Sequence, residues 1–429
     1  MNLVYPFIKA TSYRAFTVFF RKIFITGREL IPKDKKIIIA LNHPTACMEP
    51  ILFGDSLDFH VHVLLRGDAF LSKPVEWFLR RIKTIPIFRS RDGIAALRKM
   101  EMVMDEIKQT LHEGKDGILV LAEGTSAHEK RLRPLQKGLA RMAFDTYEKY
   151  GDRDIVIVPT AVNYTDVHRF RSIVSFEVCE PILLEDYLEL YEENKARAIK
   201  KLTKDVQTAM RSKVIHIADP ADDDTVNLLS ELLRNEIDFS EFPYTEDDPT
   251  LARKEYQLTE NFNKKSKEER LALAAQTDAY RRRLVEYRAE DQGAAQPGKS
   301  NFWNWAILVI LFPFHLAGLI WNFPPLRFAR HFADKKSPEI KFHASIRYGV
   351  GYIGWMIWYL LWIIGVWIFS NWVGALATAI LMPVLGRMSL IYMDFRSDVS
   401  AAYNYNSLSK EKQEAIQMMR RKLLAQVGF

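Results

Sequence analysis

The stretch IIIALNHPTACMEP, Ile37 to Pro50, joins an apolar run to a cluster of residues able to carry chemistry. The run from Ile37 to Leu41 predicts a strand, and the asparagine and proline on either side of His43 predict a turn at its end. Cys47 lies four residues after His43, and Glu49 lies six residues after it. His43 is therefore a candidate base, and the thiol and the carboxylate are its two candidate partners in this segment.

The same alternation of apolar runs and helical patterns continues to about Glu180. The remaining candidate strands are His62–Leu65, Ile85–Phe88, Gly117–Leu121, Ile155–Ala161 and Ile173–Val178. Between them lie amphipathic segments such as Ile94 to Leu111, whose apolar residues recur at helical spacing. We therefore predict an α/β domain over residues 31–184, with a largely parallel sheet flanked by helices. In such sheets reactive residues gather beyond the carboxyl ends of the strands, where His43 and Glu123 both lie.

The composition narrows the choice of partner and compartment. The formal net charge of +7 over 429 residues suits an anionic membrane surface or a phosphate-bearing substrate. No zinc-finger or RNA-binding signature accompanies this charge, so nucleic acid is not an expected partner. Cys47 and Cys179 are the only cysteines, which excludes a disulfide scaffold and indicates a reducing compartment. His43, Cys47 and His128 lack the spacing of zinc ligands, so no metal is expected.

Both flanks of the α/β domain are charged. Residues 1–30 predict a helix lying in the membrane interface, and a buried amphipathic helix of the globular domain remains open as an alternative. In that segment Lys9, Arg14, Arg21 and Lys22 are interleaved with Phe and Tyr. Residues 185–291 are rich in Lys, Arg, Glu and Leu, and predict a charged helical region in which no chemistry is apparent. Residues 292–300, QGAAQPGKS, predict a linker.

Residues 301–395 predict a membrane region. Its apolar segments are Trp303–Trp321, Tyr348–Phe369 and Trp372–Met393. The last two are long enough to cross a bilayer and predict a helical hairpin, whereas Pro313 interrupts the first and predicts a re-entrant segment. The basic connection Arg327–Arg347 is expected on the cytoplasmic face, and the turn at Ser370 on the other face. Residues 396–429 predict a basic tail that returns to the cytoplasm.

Four short blocks in the α/β domain share an order and a spacing. They are Asn42-His43, Phe88 with Arg91, Glu123-Gly124-Thr125, and Val158-Pro159. Together they resemble the blocks of the glycerolipid acyltransferase family, which makes lysophosphatidate and phosphatidate. The resemblance covers Ile25 to about Pro181. A single block of this kind is a weak signal, whereas four in order at family-like separations form a specific pattern.

The sequence departs from the common family pattern around these blocks. Met48 occupies the usual position of the acidic residue after His43, and the acid comes one place later, at Glu49. Ile85 and Ala122 replace a usual glycine and a usual proline. A branch that resembles fungal glycerol-3-phosphate and dihydroxyacetone-phosphate acyltransferases also places its acid one residue later.

The segment after the third block is similar to that same branch. Glu123–Ser126 and Arg133-Pro134-Leu135 are much like its Glu-Gly-x-Ser followed by Leu-Pro-Leu. Ser126 stands where the common form has an arginine, so phosphate recognition is expected to shift to other basic residues. The candidates are Arg131, Arg133 and Lys137.

The resemblance implies transfer of a fatty acyl group from a thioester to a hydroxyl of glycerol-3-phosphate or 1-acylglycerol-3-phosphate. His43 would be the general base, and Glu49 the carboxylate that orients it. Arg91 and Lys137 would be the main phosphate ligands, since fixed cations match phosphate oxygens. The residues that would shape the acceptor site are Glu123, Gly124 and Thr125.

The resemblance also implies a setting. Neither a metal nor a bound organic cofactor is expected, and acyl-CoA or acyl carrier protein would serve as co-substrate. The protein would be integral to a bacterial inner membrane, with membrane lipids as partners and the catalytic domain on the cytoplasmic face. Three alternatives stay open: an acyltransferase for another lyso-lipid such as a lyso-aminolipid, a hydrolase that uses Cys47, and a non-catalytic lipid-binding membrane protein.

Overall fold

The computed structural model describes residues 4–70, 72–88, 94–336 and 342–429, without the side chains of residues 94–99 and 336. The chain divides into two compact units. The first is Met1–Val214 with Tyr244–Pro249, and the second is Ile215–Pro243 with Thr250–Phe429. Each unit has a hydrophobic core of its own.

A nine-stranded sheet forms the centre of the first unit. Its strands are β1 (Lys22–Thr26), β2 (Lys36–Leu41), β3 (Val61–Arg66), β4 (Thr84–Ile87), β5 (Gly117–Leu121), β6 (Ile155–Tyr164), β7 (Ile173–Val178), β8 (Ile182–Leu183) and β9 (Thr245–Glu246). Their order is β4-β3-β5-β2-β6-β7-β1-β9, with β8 beside β6. Neighbours are parallel except that β6 runs antiparallel to β7 and to β8. The predicted α/β class with a largely parallel sheet is therefore confirmed, and every predicted strand is present.

Helices cover the sheet of the first unit. They are α1 (Val4–Phe19), α2 (Met48–Ser56), α3 (Lys73–Arg81), α4 (Ile94–Glu113), α5 (Gly138–Tyr150), α6 (Leu188–Glu193) and α7 (Lys195–Arg211). Successive strand residues face opposite sides of a sheet. The side of β2 that carries Ile38 and Ala40 packs against buried residues of α4, α5 and α7.

The α/β domain extends beyond its predicted end at residue 184. Leu202, Val206 and Met210, spaced one helical turn apart on α7, are buried in the same core as the central strands. The charge of this segment lies on the opposite face of the helix, as expected for an amphipathic helix on a sheet. The predicted boundary was wrong because composition alone does not show which face of a charged helix is buried.

The structure corrects the prediction for residues 1–30. β1 lies within this segment and pairs in parallel with β7 and β9, so these residues supply a strand of the sheet as well as a helix. α1 is packed on the globular unit, because Lys9 Nζ donates to the carbonyl oxygens of Leu57 at 2.7 Å and Phe59 at 3.1 Å. Its buried residues are Tyr5, Ser12, Phe16, Thr17 and Phe19. The alternative of a helix packed against the domain describes it better.

The second unit is helical. Its helices are α8 (Asp223–Asn235), α9 (Thr250–Asn263), α10 (Lys267–Tyr287), α11 (Asp291–Ala295), α12 (Phe302–Lys336), α13 (His343–Phe369), α14 (Trp372–Asn406) and α15 (Lys410–Ala425). Residues from α8, α9, α10, α11, α14 and α15 share one hydrophobic core. The segments predicted as a linker, 292–300, and as a tail, 396–429, are therefore parts of this core.

Three helices of the second unit are long and apolar enough to cross a membrane: α12, α13 and α14. The predicted membrane helices are thus present. The expected interruption at Pro313 is absent, because α12 continues through this residue to Lys336. Packing against a neighbouring helix explains the continuity, because membrane helices tolerate proline where other groups satisfy the freed backbone.

Candidate active site

The candidate site lies where adjacent parallel strands end. β2 lies between β5 and β6, and Leu41 is in register with Leu121, so His43 and Glu123 follow two neighbouring strands at the same edge of the sheet. The side chain of Asn42 fixes the turn, since its Nδ2 donates to the Val162 carbonyl at 2.9 Å and its Oδ1 accepts from the Val162 N–H at 2.7 Å. The Asn42 side chain thus continues the hydrogen bonding between β2 and β6 beyond the end of β2.

His43 and Glu49 form a buried pair. His43 Nδ1 lies 2.6 Å from Glu49 Oε1, and Glu49, in the first turn of α2, is 0% exposed. The helix N-terminus favours the negative charge of the carboxylate. The Thr45 N–H also donates to Oε1 at 3.3 Å, and the Thr45 hydroxyl donates to Oε2. Both carboxylate oxygens are therefore engaged, one of them by the imidazole.

The second nitrogen of the imidazole, Nε2, is available to act as a base. Among the residues that the structure describes, no hydrogen-bond partner is found for His43 Nε2. A carboxylate on Nδ1 keeps the proton there, so that Nε2 of the neutral ring is the basic nitrogen. Cys47 is half-buried and directly precedes α2 without capping it through its side chain, while Glu49 occupies the position beside the ring. The geometry therefore matches a carboxylate-oriented base.

Glu123 holds the backbone of His43. It is buried, its Oε2 accepts from the His43 backbone N–H at 2.7 Å, and its Oε1 accepts from the Arg133 backbone N–H at 2.7 Å. The Arg133 guanidinium also lies 2.8 Å from Oε2. Through these hydrogen bonds one carboxylate joins the backbone of His43 to the backbone of Arg133.

Arg133 was predicted as a candidate phosphate ligand, and in the structure its guanidinium is hydrogen-bonded to protein groups. Its Nη1 donates to Thr125 Oγ1 at 2.8 Å, and its Nη2 donates to Glu123 and to the carbonyls of Thr125 and His43, the last at 3.4 Å. The physical reason is the buried charge of Glu123, which needs a cation nearby. Arg133 therefore links the end of β5 to the histidine turn.

The other predicted substrate ligands lie in different surroundings. Arg131 Nε lies 3.1 Å from Glu129 Oε2 and is thus paired with a carboxylate. Lys137 is exposed at the start of α5, with no ion pair to any described residue. Its neighbour Gln136 donates its backbone N–H to the Ala122 carbonyl at 2.8 Å, which places Lys137 next to the strand end. Arg91 lies outside the described residues.

Gly124 and Thr125 form the turn after β5. Gly124 has φ of +74°, and a Cβ there would lie 2.9 Å from Gln136 Cγ, so that the position requires glycine. Thr125 is exposed and is bound by Arg133, as described above. These residues shape the rim of the site through the backbone.

Two residues make contacts in the site that the sequence did not predict. Thr45 binds both oxygens of Glu49 and accepts from the Met48 N–H at 3.1 Å, so it fixes the carboxylate and the start of α2 together. Tyr164, at the end of β6, is buried, and burial followed by the nearby Glu49 charge raises its pKa well above the ordinary value. A threonine two residues after the histidine was visible in the sequence, but its contact with Glu49 was not.

Comparisons with known proteins agree with this geometry. A model of the Acyltransferase family matches residues 22–163. An uncharacterised acyltransferase of Schizosaccharomyces pombe is 31% identical over 119 residues, 27% of this chain and 18% of that protein. Glycerol-3-phosphate O-acyltransferase 1 of Saccharomyces cerevisiae is 27% identical over 204 residues, 44% of this chain and 26% of that protein. The chain therefore spans about a quarter or less of the length of these two relatives.

A solved structure was also found. The 1-acyl-sn-glycerophosphate (LPA) acyltransferase PlsC from Thermotoga maritima is 18% identical, with a TM-score of 0.34, over 47% of this chain and 78% of that one. A score this low carries no argument of its own. The family match begins at β1 and ends in β6, and so includes the histidine turn and the glutamate turn. Residues 22–163 are thus similar to the Acyltransferase family, and the chain resembles yeast glycerol-3-phosphate O-acyltransferase 1 over part of its length.

Proposed function

We propose that this protein transfers a fatty acyl group from an acyl thioester to a hydroxyl of glycerol-3-phosphate or 1-acylglycerol-3-phosphate. The observation that carries the proposal is the buried His43–Glu49 pair, with Nδ1 held at 2.6 Å and Nε2 without a partner among the described residues. The family match and the yeast glycerol-3-phosphate acyltransferase support the reaction class. Glu49 lies one position later than in the common family pattern, and the longer side chain of glutamate compensates for this shift.

The first step is removal of the acceptor proton. As the acceptor oxygen attacks the thioester carbon, Nε2 of His43 takes the hydroxyl proton, and Glu49 stabilises the resulting imidazolium. General base catalysis of this kind contributes about 10²–10⁴-fold to the rate. Glu123 and Arg133 hold the turn that carries His43, so the ring is positioned before substrate binds.

The second step returns the proton. The tetrahedral intermediate collapses, the carbon–sulfur bond breaks, and the imidazolium donates its proton to the departing thiolate, leaving an ester and a free thiol. Neither a metal nor a bound organic cofactor is needed in this scheme. The donor thiol belongs to coenzyme A or to an acyl carrier protein.

Phosphate recognition is assigned to Lys137 together with Arg91. A cation at the start of a helix opposes the helix dipole, so Lys137 contributes little to stability there unless an anion is bound. Its exposure and its place beside the end of β5 leave it free to contact a substrate phosphate. Arg91 follows β4, a member of the same parallel set of strands. The membrane supplies a lipid acceptor or receives the acylated product. The catalytic unit is assigned to the cytoplasmic face, where the acyl donors are.

The test is to incubate membranes that contain the protein with a labelled acyl thioester and a panel of acceptors. The panel contains glycerol-3-phosphate, 1-acylglycerol-3-phosphate and a lyso-aminolipid, and the His43→Ala variant is the control. We expect labelled lysophosphatidate or phosphatidate from the native chain and none from the variant. A product only from the lyso-aminolipid, or equal activity in His43→Ala, would overturn the assignment.

A further inference from the structure

The membrane region begins and ends at the same place in the second unit. α12 starts at Phe302, directly after residues that bind the end of α14. Lys299 Nζ lies 3.1 Å from Asp398 Oδ2, and Asn406 Nδ2 donates to the Pro297 carbonyl at 2.9 Å. A chain that enters and leaves at one place crosses a membrane an even number of times or not at all. Three successive crossings by α12, α13 and α14 are therefore excluded.

The first part of α12 pairs with the last part of α14. Ser389 Oγ lies 2.9 Å from His315 Nδ1, and Asn322 Nδ2 donates to the Met382 carbonyl at 3.1 Å. A side chain at Gly318 would collide with the carbonyl of Leu385, so the two helices are in close contact. We call this antiparallel pair, residues 302–322 and 382–406, the stem.

Beyond the stem, α13 pairs with each of the other two helices in turn. Its first part lies along the end of α12, where Arg347 Nη2 is 2.7 Å from Asp334 Oδ1. We call this pair, residues 325–336 and 343–354, the basic branch. Its last part lies along the start of α14, where the Tyr359 hydroxyl donates to the Ala379 carbonyl. This pair, residues 355–369 and 372–381, is the apolar branch.

The stem and the two branches meet at Asn322. Trp355 Nε1 donates to Asn322 Oδ1 at 3.0 Å, while Asn322 Nδ2 reaches the Met382 carbonyl. Three straight helices cannot each run antiparallel to both of the others, so the pairs must diverge from this point. Prolines 324, 325 and 383 lie at the junction, where they can bend their helices.

The apolar branch has the character of a lipid-inserted segment. Residues 348–386 contain no Asp, Glu, Lys or Arg. At the tip, Trp367, Phe369 and Trp372 are 63%, 90% and 68% exposed, which is a surface that a bilayer covers and water does not. From Trp355 to Phe369 the helix rises about 21 Å at 1.5 Å per residue, short of the roughly 30 Å of a hydrocarbon core.

The stem has the character of an interfacial segment. Its α12 side is uncharged, with exposed apolar residues such as Phe302, Val309 and Ile310. Its α14 side carries the charged residues Arg387, Asp394 and Arg396, while Asp398 is buried in the ion pair with Lys299. A helix pair with one apolar and one charged side lies along a membrane surface rather than across it. The basic branch, with Arg327, Arg330 and Arg347, suits the same surface.

We propose that the second unit binds the bilayer from one side only. The apolar branch dips into the nearer leaflet and returns, while the stem and the basic branch lie in the interface. Both ends of the membrane region, and the α8–α11 and α15 helices at the base of the stem, then lie on the same face. This proposal is independent of the acyl-transfer reaction.

The test uses single cysteines in the full chain with Cys47 and Cys179 replaced by serine. Ser370 and Ser407 form a matched pair, since each follows the last residue of an apolar helix and each is exposed in the structure. Sealed vesicles with the protein in one orientation are treated with a membrane-impermeant maleimide, from each side separately and then after detergent. Lys335→Cys reports on the basic branch.

We expect Ser407→Cys and Lys335→Cys to react from the same side, and Ser370→Cys to react only after detergent. A spin label at position 370 should show collision with dissolved oxygen and protection from a water-soluble nickel chelate. Reaction of Ser370→Cys from the opposite side would show that the branch crosses, and reaction from the same side would show that it does not insert. Either result would overturn the proposal.

Discussion

At the scale of single residues, Glu49 is the sharpest test of the site. Glu49→Gln keeps the shape of the side chain but removes the charge that stabilises the His43 imidazolium. We expect kcat to fall by about 10²–10⁴-fold, since the tautomer and the charge balance of the imidazole are both altered. The measurement is acyl transfer at saturating donor and acceptor, with circular dichroism to verify folding.

Cys47→Ala is the matched control for Glu49, because it alters the neighbouring candidate partner without touching the carboxylate. We expect near-native activity in this variant. A double variant of His43 and Glu49 should be little worse than His43→Ala alone, since residues that act as one unit are not additive. A hydrolase dependent on Cys47 would give the reverse ranking, with Cys47→Ala inactive and Glu49→Gln active.

Arg133 and Lys137 are predicted to differ in which kinetic constant they affect. Arg133→Ala loosens the turn that carries His43, so kcat should fall for every acceptor, whether or not it carries a phosphate. Lys137→Ala would remove the proposed phosphate contact, and loss of a charge-assisted hydrogen bond costs about 1.5–3 kcal/mol. The acceptor KM should therefore rise by about 10-fold or more, and only for acceptors that carry a phosphate.

The comparison needs a phosphate-containing and a phosphate-free acceptor measured side by side. Arg133→Lys serves as the conservative variant, and partial recovery of kcat is expected because the charge next to Glu123 is kept. If Arg133→Ala raised KM only for the acceptor that carries a phosphate, Arg133 would be a phosphate ligand.

The sequence could identify the residue types of the site but not all their partners. His43 and Glu49 are six residues apart, and a turn followed by a short helix is enough to bring them together. Arg133 and His43 are joined across the ends of two strands, through contacts that depend on the loop after β5. No local sequence pattern shows that a basic residue will form an ion pair with a buried glutamate.

At the scale of elements, the contact between α1 and α2 contains a titratable group. Burial raises the pKa of Asp55, in α2, to about 7, and the hydrogen bond from Ser12 and the charge of Lys9 only partly offset this. A carboxyl whose folded pKa is raised contributes stability below its unfolded pKa and loses it as pH rises through the folded value. The free energy of unfolding should therefore decline between about pH 4 and pH 7.

Asp55→Asn should remove most of that decline, because an amide mimics the protonated acid. We expect the variant to be more stable than the native chain at pH 8, by on the order of 2–4 kcal/mol, and to show a flatter pH profile of thermal unfolding. Asp58→Asn is the control: Asp58 is exposed beside Lys33, whose hydrogen bond lowers its pKa. Identical pH profiles for native and Asp55→Asn proteins would contradict the prediction.

The contact of α15 with the second unit depends on a buried cation. Arg420 Nε lies 3.0 Å from Asp291 Oδ1, and Arg420 Nη2 donates to the Leu232 carbonyl at 2.6 Å. Arg420→Leu should lower the free energy of unfolding by about 3–5 kcal/mol, because it leaves Asp291 buried without its cation. Arg421→Leu, which alters an exposed neighbour on the same helix, should change it by about 0.5 kcal/mol or less. Equal thermal unfolding of the two variants would contradict this role.

The sequence predicted helices and strands correctly where the hydrophobic periodicity was strong. It did not where small residues allow two helices to pack closely. The apolar runs of the central strands were long enough to be recognised, whereas β1 follows directly on a helix and was read as part of it. Gly293 and Ala294 suggested a linker by composition. In the structure a side chain at Gly293 would collide with the Ala401 backbone, so these small residues allow α11 to pack closely on α14.

At the scale of the whole molecule, hydropathy predicted the membrane helices but not their path. Length and composition identify α12, α13 and α14, and nothing in either shows that each helix changes partner along its length. Pro313 was read as a break, whereas the changes of partner occur near Pro324, Pro325 and Pro383. Which proline bends a helix depends on its neighbours, and these are set by tertiary packing.

The strand β9 pairs with β1, from which it is separated by more than 200 residues of sequence. Lys22, in β1, is almost fully buried and forms an ion pair with Glu246 of β9 at 2.5 Å. Glu246→Ala in the full chain should lower the free energy of unfolding of the first unit, by up to about 3 kcal/mol, since the buried lysine loses this carboxylate. Thermal unfolding monitored by a probe in the sheet is the measurement, and an unchanged midpoint would count against the contact.

The insertion of β9 also has a consequence for gene architecture. The residues between Val214 and Tyr244 belong to the other unit, so the coding sequence of the first unit is interrupted. Recombination at a single breakpoint between Val214 and Tyr244 would separate β9 from the sheet to which it belongs. Transplanting the first unit into another protein would require either both pieces of its coding sequence or a replacement edge strand.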